Sequence, residues 1–195
     1  MDSSQAITDA RLLAGSLGQL PEPEARPAFI VVSGLPGTGK SYFCQRLAER
    51  LPCLVLESDA LRKQLFSVPT YSVPESSRLF QTIHQLVDEL LSKGIPVVLD
   101  ATNLSERYRE RLYNIAERRN AKLILVRVEA PPDVVRKRLA SRLTQTGIKG
   151  NSDADWTVYQ QMKSTVEKIR HNHYAVDTSR DIAPVLNKIV REASR

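Results

Sequence analysis

The clearest chemical pattern in the sequence is a glycine-rich segment, GLPGTGKS, which follows an apolar run and precedes a helical pattern. It fits the spacing G-x-x-x-x-G-K-[ST], in which backbone N–H groups surround a phosphate chain and a helix N-terminus adds partial positive charge. The lysine would bind the β- and γ-phosphates, and the serine hydroxyl could ligate Mg²⁺. The segment therefore predicts a nucleoside triphosphate site. Its predicted phosphate-binding residues are Gly34, Leu35, Pro36, Gly37, Thr38, Gly39, Lys40 and Ser41.

Two carboxylates follow apolar, strand-like segments farther along the chain. Asp100 ends PVVLD, where it could hold Mg²⁺ through water; the alternative is an N-cap or turn residue. Asp59 follows CLVLES, where an acceptor hydroxyl would approach the γ-phosphate and a carboxylate could accept its proton. Arg62 lies on the same face if a helix starts at Ser58 or Asp59, and could bind an anionic group of the acceptor. The alternative for this pair is a helix cap with a surface ion pair.

A second group of basic residues occurs in the segment PPDVVRKRLASRL. Arg138 and Arg142 are four residues apart and would share one helix face, from which they could bridge the transferring phosphates. The polar, glycine-containing loop that follows predicts a lid over about residues 142–155, which would exclude water when it closes. A solvated basic helix face is the alternative.

The glycine-rich segment, Asp59 and Asp100 all lie at or just beyond the ends of predicted strands. The sequence predicts five strands, which alternate with helical patterns. Strands that are apolar on both faces predict a parallel sheet covered by helices on both sides. Ligands in such sheets bind beyond the carboxyl ends of the strands, so the candidate residues are expected to meet at one edge. The predicted strands are AFIVVSG, CLVLES, PVVLD, KLILVRVEA and YAVDTS.

The N-terminal 28 residues have a different pattern. A loosely helical segment from about Ala6 to Leu20 is followed by PEPEARP, which predicts an arm and a stiff linker outside the main fold. The main domain would then comprise residues 29–195. Near its C-terminal side, Ser152 and Asp155 form a capping-box pattern that predicts a helix through about Ile169.

Composition places broad limits on function. The 195 residues fit one ordinary domain, and the net charge of +6 favours an anionic partner such as a nucleotide, a nucleic acid or a phosphorylated metabolite. The two cysteines match neither a redox nor a zinc pattern. No apolar segment approaches the roughly 20 residues that span a bilayer, and the N-terminus is polar. We therefore expect a cytoplasmic protein without a membrane segment.

The motifs also narrow the reaction. A regulatory GTPase should contain an NKxD-like guanine-binding motif, and the sequence has none. In a ring-forming ATPase the Walker B strand usually ends in two consecutive acids, whereas here Ala101 follows Asp100. A small P-loop kinase fits what remains, because phosphoryl transfer needs a metal-binding acid, a base near the acceptor and arginines on the phosphates. A nucleotide-dependent switch or binding module with little transfer activity is the alternative from another class.

Five motifs together have a family resemblance. GLPGTGKS, SDALR, DATNLSER, RLASR and DADWTVYQQM resemble, in this order, the kinase module of 5′-hydroxyl polynucleotide kinases and the wider group of small P-loop kinases with zeta-toxin-like and seryl-tRNA kinase relatives. The resemblance covers about Phe29 to Ser179. It implies a three-layer P-loop NTPase fold with a five-stranded parallel sheet in the order 2-3-1-4-5 and a lid.

The resemblance also implies roles and ligands. ATP and Mg²⁺ would be the cofactors, with Lys40 and Ser41 on the phosphates and metal and Asp59 as general base. Arg62 would bind the acceptor's neighbouring phosphate, and Arg142 with Arg138 would act from the lid. Other residues implied to lie at the site are Asp100 for the metal, Asn103 and Arg107 for the substrate, and Thr178 and Ser179 beside the adenine. The implied acceptor is a DNA or RNA 5′-hydroxyl; a nucleotide sugar or another small molecule is the alternative.

Overall fold

The protein is described from a computed structural model, which covers residues 3–144 and 154–195. Its centre is one parallel sheet with the strand order β2-β3-β1-β4-β5, which confirms the predicted order. The strands are β1 (Ala28–Ser33), β2 (Leu54–Glu57), β3 (Val97–Asp100), β4 (Lys122–Glu129) and β5 (Tyr174–Asp177).

Helices cover both faces of this sheet. Side chains alternate along each strand, and in β1 Phe29 and Val31 enter one core cluster while Ile30 and Val32 enter the other. α1, α3, α4 and α5 supply the first cluster, and α2 and α8 supply the second. The helices are α1 (Ser3–Gly15), α2 (Lys40–Ala48), α3 (Ser58–Leu65), α4 (Val73–Ser92), α5 (Glu106–Arg118), α6 (Pro132–Thr144), α7 (Trp156–Lys163) and α8 (Ala183–Ala193).

The strand register brings the chemical residues to one edge. Glu57 in β2 and Val32 in β1 both lie opposite Asp100, the last residue of the intervening β3. The glycine-rich loop begins two residues after Val32, so it lies directly beside both carboxylates. The carboxyl edge of the sheet therefore positions the candidate site, as ligands in such sheets require.

The expectation that residues 6–20 stand outside the main fold is corrected. Ala10 and Leu13 of α1 are fully buried in the core cluster that also contains α4. The Asp9 carboxylate accepts hydrogen bonds of 2.7 and 2.8 Å from Arg78 on α4. Ala14 and Leu17 also pack against this cluster, but Ile7 and Leu12 are exposed, so apolar residues occur on both faces of α1 and the sequence pattern is only loosely helical. The boundary at residue 28 stays a prediction.

The helix predicted from the Ser152–Asp155 capping pattern is shorter than expected. α7 begins at Trp156, with the Asp155 side chain accepting a 2.9 Å hydrogen bond from the Val158 N–H, and ends at Lys163 instead of continuing to Ile169. After α7 the backbone does not continue the helix: the Glu167 N–H donates to the Leu104 carbonyl, in the segment after β3. Ser152 lies outside the described residues. Over the described parts of the chain, no helix is both long and apolar enough to cross a membrane.

Candidate active site

The glycine-rich loop joins β1 to α2 and closes on itself. Thr38 donates from its hydroxyl to the Leu35 carbonyl at 2.7 Å, and the Lys40 ammonium donates to the same oxygen at 3.2 Å. The Gly34 N–H donates to the Thr102 carbonyl at 3.1 Å. The loop thus has the strand–loop–helix placement that a phosphate-binding loop requires, with Lys40 at the first turn of α2.

Two glycines of this loop are required by its geometry. Gly37 and Gly39 have φ values of +77° and +94°, which side-chain-bearing residues rarely adopt. A Cβ at Gly39 would lie 2.9 Å from the Thr178 hydroxyl, and one at Gly37 would lie 2.9 Å from Leu139 and Val135. Any larger residue at either position would therefore strain the loop and push away α6 or the segment after β5.

An acidic cluster lies beside the first turn of α2. The Ser41 hydroxyl is 2.7 Å from the Asp100 carboxylate and 3.1 Å from that of Glu57. Burial is the main cause that raises the pKa of Asp100, and the negative charges of Glu57 and Asp59 raise it further. Lys40 and the Ser41 hydroxyl act in the opposite direction. A buried carboxylate beside two further acids is well placed for a cation.

Glu57 was missed at the level of the sequence. It ends β2 two residues before Asp59, so both belong to the short segment LESD. The signal was available, because the carboxyl ends of neighbouring parallel strands lie side by side. What the sequence did not provide was the residue register between β2 and β3, which places Glu57 opposite Asp100.

The side chains of this cluster offer the type of ligand atom that Mg²⁺ prefers, but not a complete set of ligands. Ser41, Asp100 and Glu57 offer only hard oxygen atoms, which Mg²⁺ prefers. In residues 3–144 and 154–195, no group of three or more His, Cys, Asp or Glu side chains is arranged to hold a metal. Mg²⁺ usually takes one or two carboxylates together with substrate phosphates, so the metal would be completed by the nucleotide.

Asp59 and Arg62 lie on α3, directly after β2. α3 starts at Ser58, so the two side chains are one turn apart on a shared face. The Arg62 guanidinium is buried, forms an ion pair with Glu75 of α4 and donates to the Ser76 hydroxyl at 3.3 Å. The arginine predicted to bind an anion of the acceptor is therefore paired with an anion of the protein.

Arg138 joins α6 to two parts of the site. Its guanidinium donates to the Thr178 hydroxyl at 2.8 Å, the Thr178 carbonyl at 3.0 Å and the Thr38 carbonyl at 3.3 Å. The Thr178 hydroxyl itself donates to the Thr38 carbonyl at 2.5 Å. Arg138 and Thr178 thus tie the phosphate loop to the end of β5. Ser179 lies at the surface, where its hydroxyl donates to Asp177 at 2.7 Å.

The predicted lid is described only at its two ends. The backbone of Arg142 belongs to α6, whereas its side chain and residues 145–153 lie outside the part of the chain that the structure describes. The predicted roles of Arg142 and of the lid therefore remain predictions.

The two residues predicted to contact the substrate after β3 have different surroundings. The buried Asn103 amide donates to the Val32 carbonyl at 2.8 Å, next to the phosphate loop, whereas Arg107 is exposed on α5. The neighbouring Arg109 is 1% exposed and donates to the Glu106 carboxylate and the Glu167 carbonyl. Arg109 is a structural arginine that holds the connection after α7. Residue type alone did not distinguish it from Arg107.

The sheet order, the phosphate loop and the carboxylates beside Ser41 define a P-loop kinase domain. A family model described as an AAA domain (AAA_33) matches residues 29–169, and the chain belongs to this family.

Two curated proteins are similar over part of their length. The L-seryl-tRNA(Sec) kinase of Methanococcus maripaludis is 27% identical over 118 residues, which cover 58% of this chain and 45% of that protein. The adenylate kinase isoenzyme 6 homolog of Drosophila melanogaster is 31% identical over 80 residues, which cover 40% of this chain and 45% of that protein. The chain spans less than half the length of these relatives.

A solved structure extends the likeness to nearly the whole domain. The gluconokinase from Sinorhizobium meliloti superimposes with a TM-score of 0.61 at 24% identity, covering 88% of this chain and 94% of the gluconokinase. At that identity the likeness shows the fold alone.

Proposed function

We propose that this protein transfers the γ-phosphoryl group of ATP to the 5′-hydroxyl of a nucleic acid. The observation that carries the phosphotransferase part is the convergence of the phosphate loop, Asp100 and the start of α3 at one edge of the sheet. This arrangement gives a bound triphosphate a cation-binding side and an adjacent carboxylate, Asp59.

The proposed reaction assigns a task to each group. Asp59 accepts the proton of the acceptor hydroxyl. The hydroxyl oxygen forms a bond with Pγ while the bond from Pγ to the β,γ-bridging oxygen breaks, and ADP leaves. Lys40 neutralises charge on the β- and γ-phosphates, and Arg142 with Arg138 would act from the lid side. Mg²⁺ held by Ser41 and Asp100 would neutralise the same phosphates.

Substrate contacts follow from the same edge of the site. Thr178 and Ser179 would border the adenine of ATP, and Asn103 and Arg107 would face the acceptor. Arg62 would bind the acceptor's phosphate through its Nε–H and keep its ion pair with Glu75. Its Nε–H is buried and has no hydrogen-bond partner among the described residues, so the guanidinium retains one donor.

Two observations support a nucleic-acid acceptor. The net charge of +6 favours a polyanion. The similar kinase from Methanococcus maripaludis is an L-seryl-tRNA(Sec) kinase, so its named acceptor carries an RNA.

An acceptor screen with γ-labelled ATP tests the proposal. We expect 5′-hydroxyl oligonucleotides to be labelled, and 5′-phosphorylated ones not to be. Lys40→Ala should abolish transfer and weaken ATP binding, whereas Asp59→Asn should lose transfer and keep ATP binding. Normal turnover by Lys40→Ala would contradict the assignment of the phosphate loop.

A kinase of a small molecule is the second candidate, because an adenylate kinase homolog is among the relatives. Labelling of a nucleotide, a nucleotide sugar or another metabolite, without labelling of any oligonucleotide, would favour it. A nucleotide-dependent switch would instead hydrolyse ATP equally well as wild type and as Asp59→Asn, with no acceptor labelled.

A further inference from the structure

Residues 68–73, between α3 and the start of α4, expose three apolar side chains. Val68 is 77% exposed, Tyr71 is 45% exposed and Val73, the first residue of α4, is 84% exposed. Exposed apolar residues grouped within six positions often mark a binding surface. Their position relative to Asp59 indicates what they could bind.

Tyr71 lies on the side of α3 that carries the predicted base. The guanidinium carbon of Arg62 is 4.7 Å from the centre of the Tyr71 ring. Arg62 in turn shares a helix face with Asp59, one turn away, which is an axial distance of about 5 Å. The ring is therefore placed beside the path by which an acceptor would reach Asp59.

Glu75 holds this segment in a conformation that it would rarely adopt by itself. Tyr71 has a φ of +55°, which is uncommon for an aromatic residue. The Glu75 carboxylate accepts from the Thr70 N–H at 2.6 Å, the Thr70 hydroxyl at 2.7 Å and the Tyr71 N–H at 3.1 Å. These bonds and the ion pair with Arg62 also keep the pKa of Glu75 low, at about 2, although burial opposes them.

The Tyr71 ring is thus fixed before any acceptor binds. Its backbone is held by Glu75, and Arg62 packs against the ring by a cation–π contact. A planar ring held in place over an arginine is suited to stacking on another planar group, because little conformational entropy is lost on binding.

We propose that Tyr71 is the stacking residue for a nucleobase of the acceptor, namely the base attached to the sugar whose hydroxyl is phosphorylated. Val68 and Val73 flank this base with apolar contacts, and Arg62 and Glu75 are positioning residues for the ring. The inference rests on the proposed transfer to a nucleotide-bearing acceptor, and it specifies where the base of that acceptor binds.

Fluorescence of 2-aminopurine tests the contact without requiring transfer, because this base loses emission when it stacks. The first probe is a 5′-hydroxyl oligodeoxynucleotide with 2-aminopurine as its 5′-terminal base, titrated with the full chain in the presence of ADP. The second probe is 2-aminopurine riboside 3′-monophosphate. Comparing the two probes shows whether the site binds a nucleic-acid end or a mononucleotide.

We expect the emission to fall on binding to the wild-type protein. Tyr71→Ala should abolish this fall and weaken binding roughly 10- to 100-fold. Tyr71→Phe and Tyr71→Trp should retain both, which separates loss of the ring from loss of folding. Tyr42→Ala is the matched control, since Tyr42 is a similarly exposed tyrosine near an arginine on α2.

The outcomes for the inference and for the proposed function are distinguishable. Equal quenching and affinity in wild type and Tyr71→Ala would overturn the stacking site, even if oligonucleotides are phosphorylated. An oligonucleotide with an abasic 5′ residue that binds as tightly as the intact one would also overturn it. Quenching that depends on Tyr71, without any transfer, would support the stacking site and refute the proposed function.

Discussion

At the scale of single residues, the position of the Asp100 carboxylate favours cation binding but lowers the stability of the ligand-free protein. It is buried beside Glu57 and Asp59, and these surroundings raise its pKa. A folded-state pKa above that of the unfolded chain means that the ionised carboxylate destabilises the fold near neutral pH. Sites that must bind a cation commonly show this conflict with stability.

We predict that Asp100→Asn stabilises the protein and inactivates it. With EDTA and without nucleotide at pH 7, its unfolding midpoint in urea should rise, because a buried charge is removed while an oxygen remains to accept from Ser41. Phosphoryl transfer should fall by at least about 100-fold. Asp88→Asn is the control, because that carboxylate is stabilised by Arg118 and Arg119 and its loss should lower the midpoint. An Asp100→Asn midpoint below that of wild type would contradict the prediction.

Glu57 should affect the metal requirement. Its carboxylate is 3.1 Å from the Ser41 hydroxyl, close enough to act on a cation bound there directly or through water. We predict that Glu57→Gln raises the Mg²⁺ concentration for half-maximal transfer by roughly 10-fold, the lower end of what outer ligands contribute. Titration of activity with Mg²⁺ at constant ATP measures this. Glu49→Gln, which removes an exposed carboxylate paired with Arg46 on α2, should leave the titration unchanged.

At the scale of elements, α6 acts on the site through Arg138. The three hydrogen bonds from its guanidinium hold the phosphate loop against the segment after β5. The fork of an arginine can reach these oxygens together, and a lysine ammonium cannot reproduce that geometry. The role visible in the structure is therefore to position the loop.

We predict that Arg138→Lys weakens ATP binding about 10-fold although it keeps the positive charge. Arg138→Ala should weaken ATP binding to a similar degree, since both variants lose the link between Thr38 and Thr178. Equilibrium binding of ATP provides the measurement. Full affinity in Arg138→Lys would instead indicate that charge alone matters. Lys137→Ala is the control, because this neighbouring residue of α6 is exposed.

The same elements show what the sequence could predict. The five strands and the phosphate loop were predictable, because apolar runs and glycine spacing are local signals. The strand order was implied only by the family resemblance. The pairing of Arg62 with Glu75 was not, because it depends on how α3 packs against α4. For the same reason the sequence did not reveal Arg109 as a structural residue, nor α1 as part of the core.

At the scale of the whole molecule, α1, α4 and α5 meet around a cavity of about 310 Å³ on the first face of the sheet. His84 lines it together with Asp88 and Arg118. Burial is the main cause that lowers the pKa of His84 to about 4, and the positive charge of Arg111 lowers it further. The folded protein therefore keeps this imidazole neutral over a range in which the unfolded chain would protonate it.

We predict that this histidine makes the protein less stable as the pH falls from about 6.5 to 4. The unfolded chain takes up a proton near pH 6.5 and the folded chain only near pH 4, so the loss should reach roughly 2–3 kcal/mol. Urea unfolding at pH 7, 5.5 and 4.5 measures it, and His84→Gln should flatten the dependence over this interval. Asp9 and Asp88, whose pKa values are lowered by hydrogen bonds from Arg78 and Arg119, should contribute only below about pH 4. If His84→Gln loses as much stability as wild type between pH 7 and 4.5, another group is responsible.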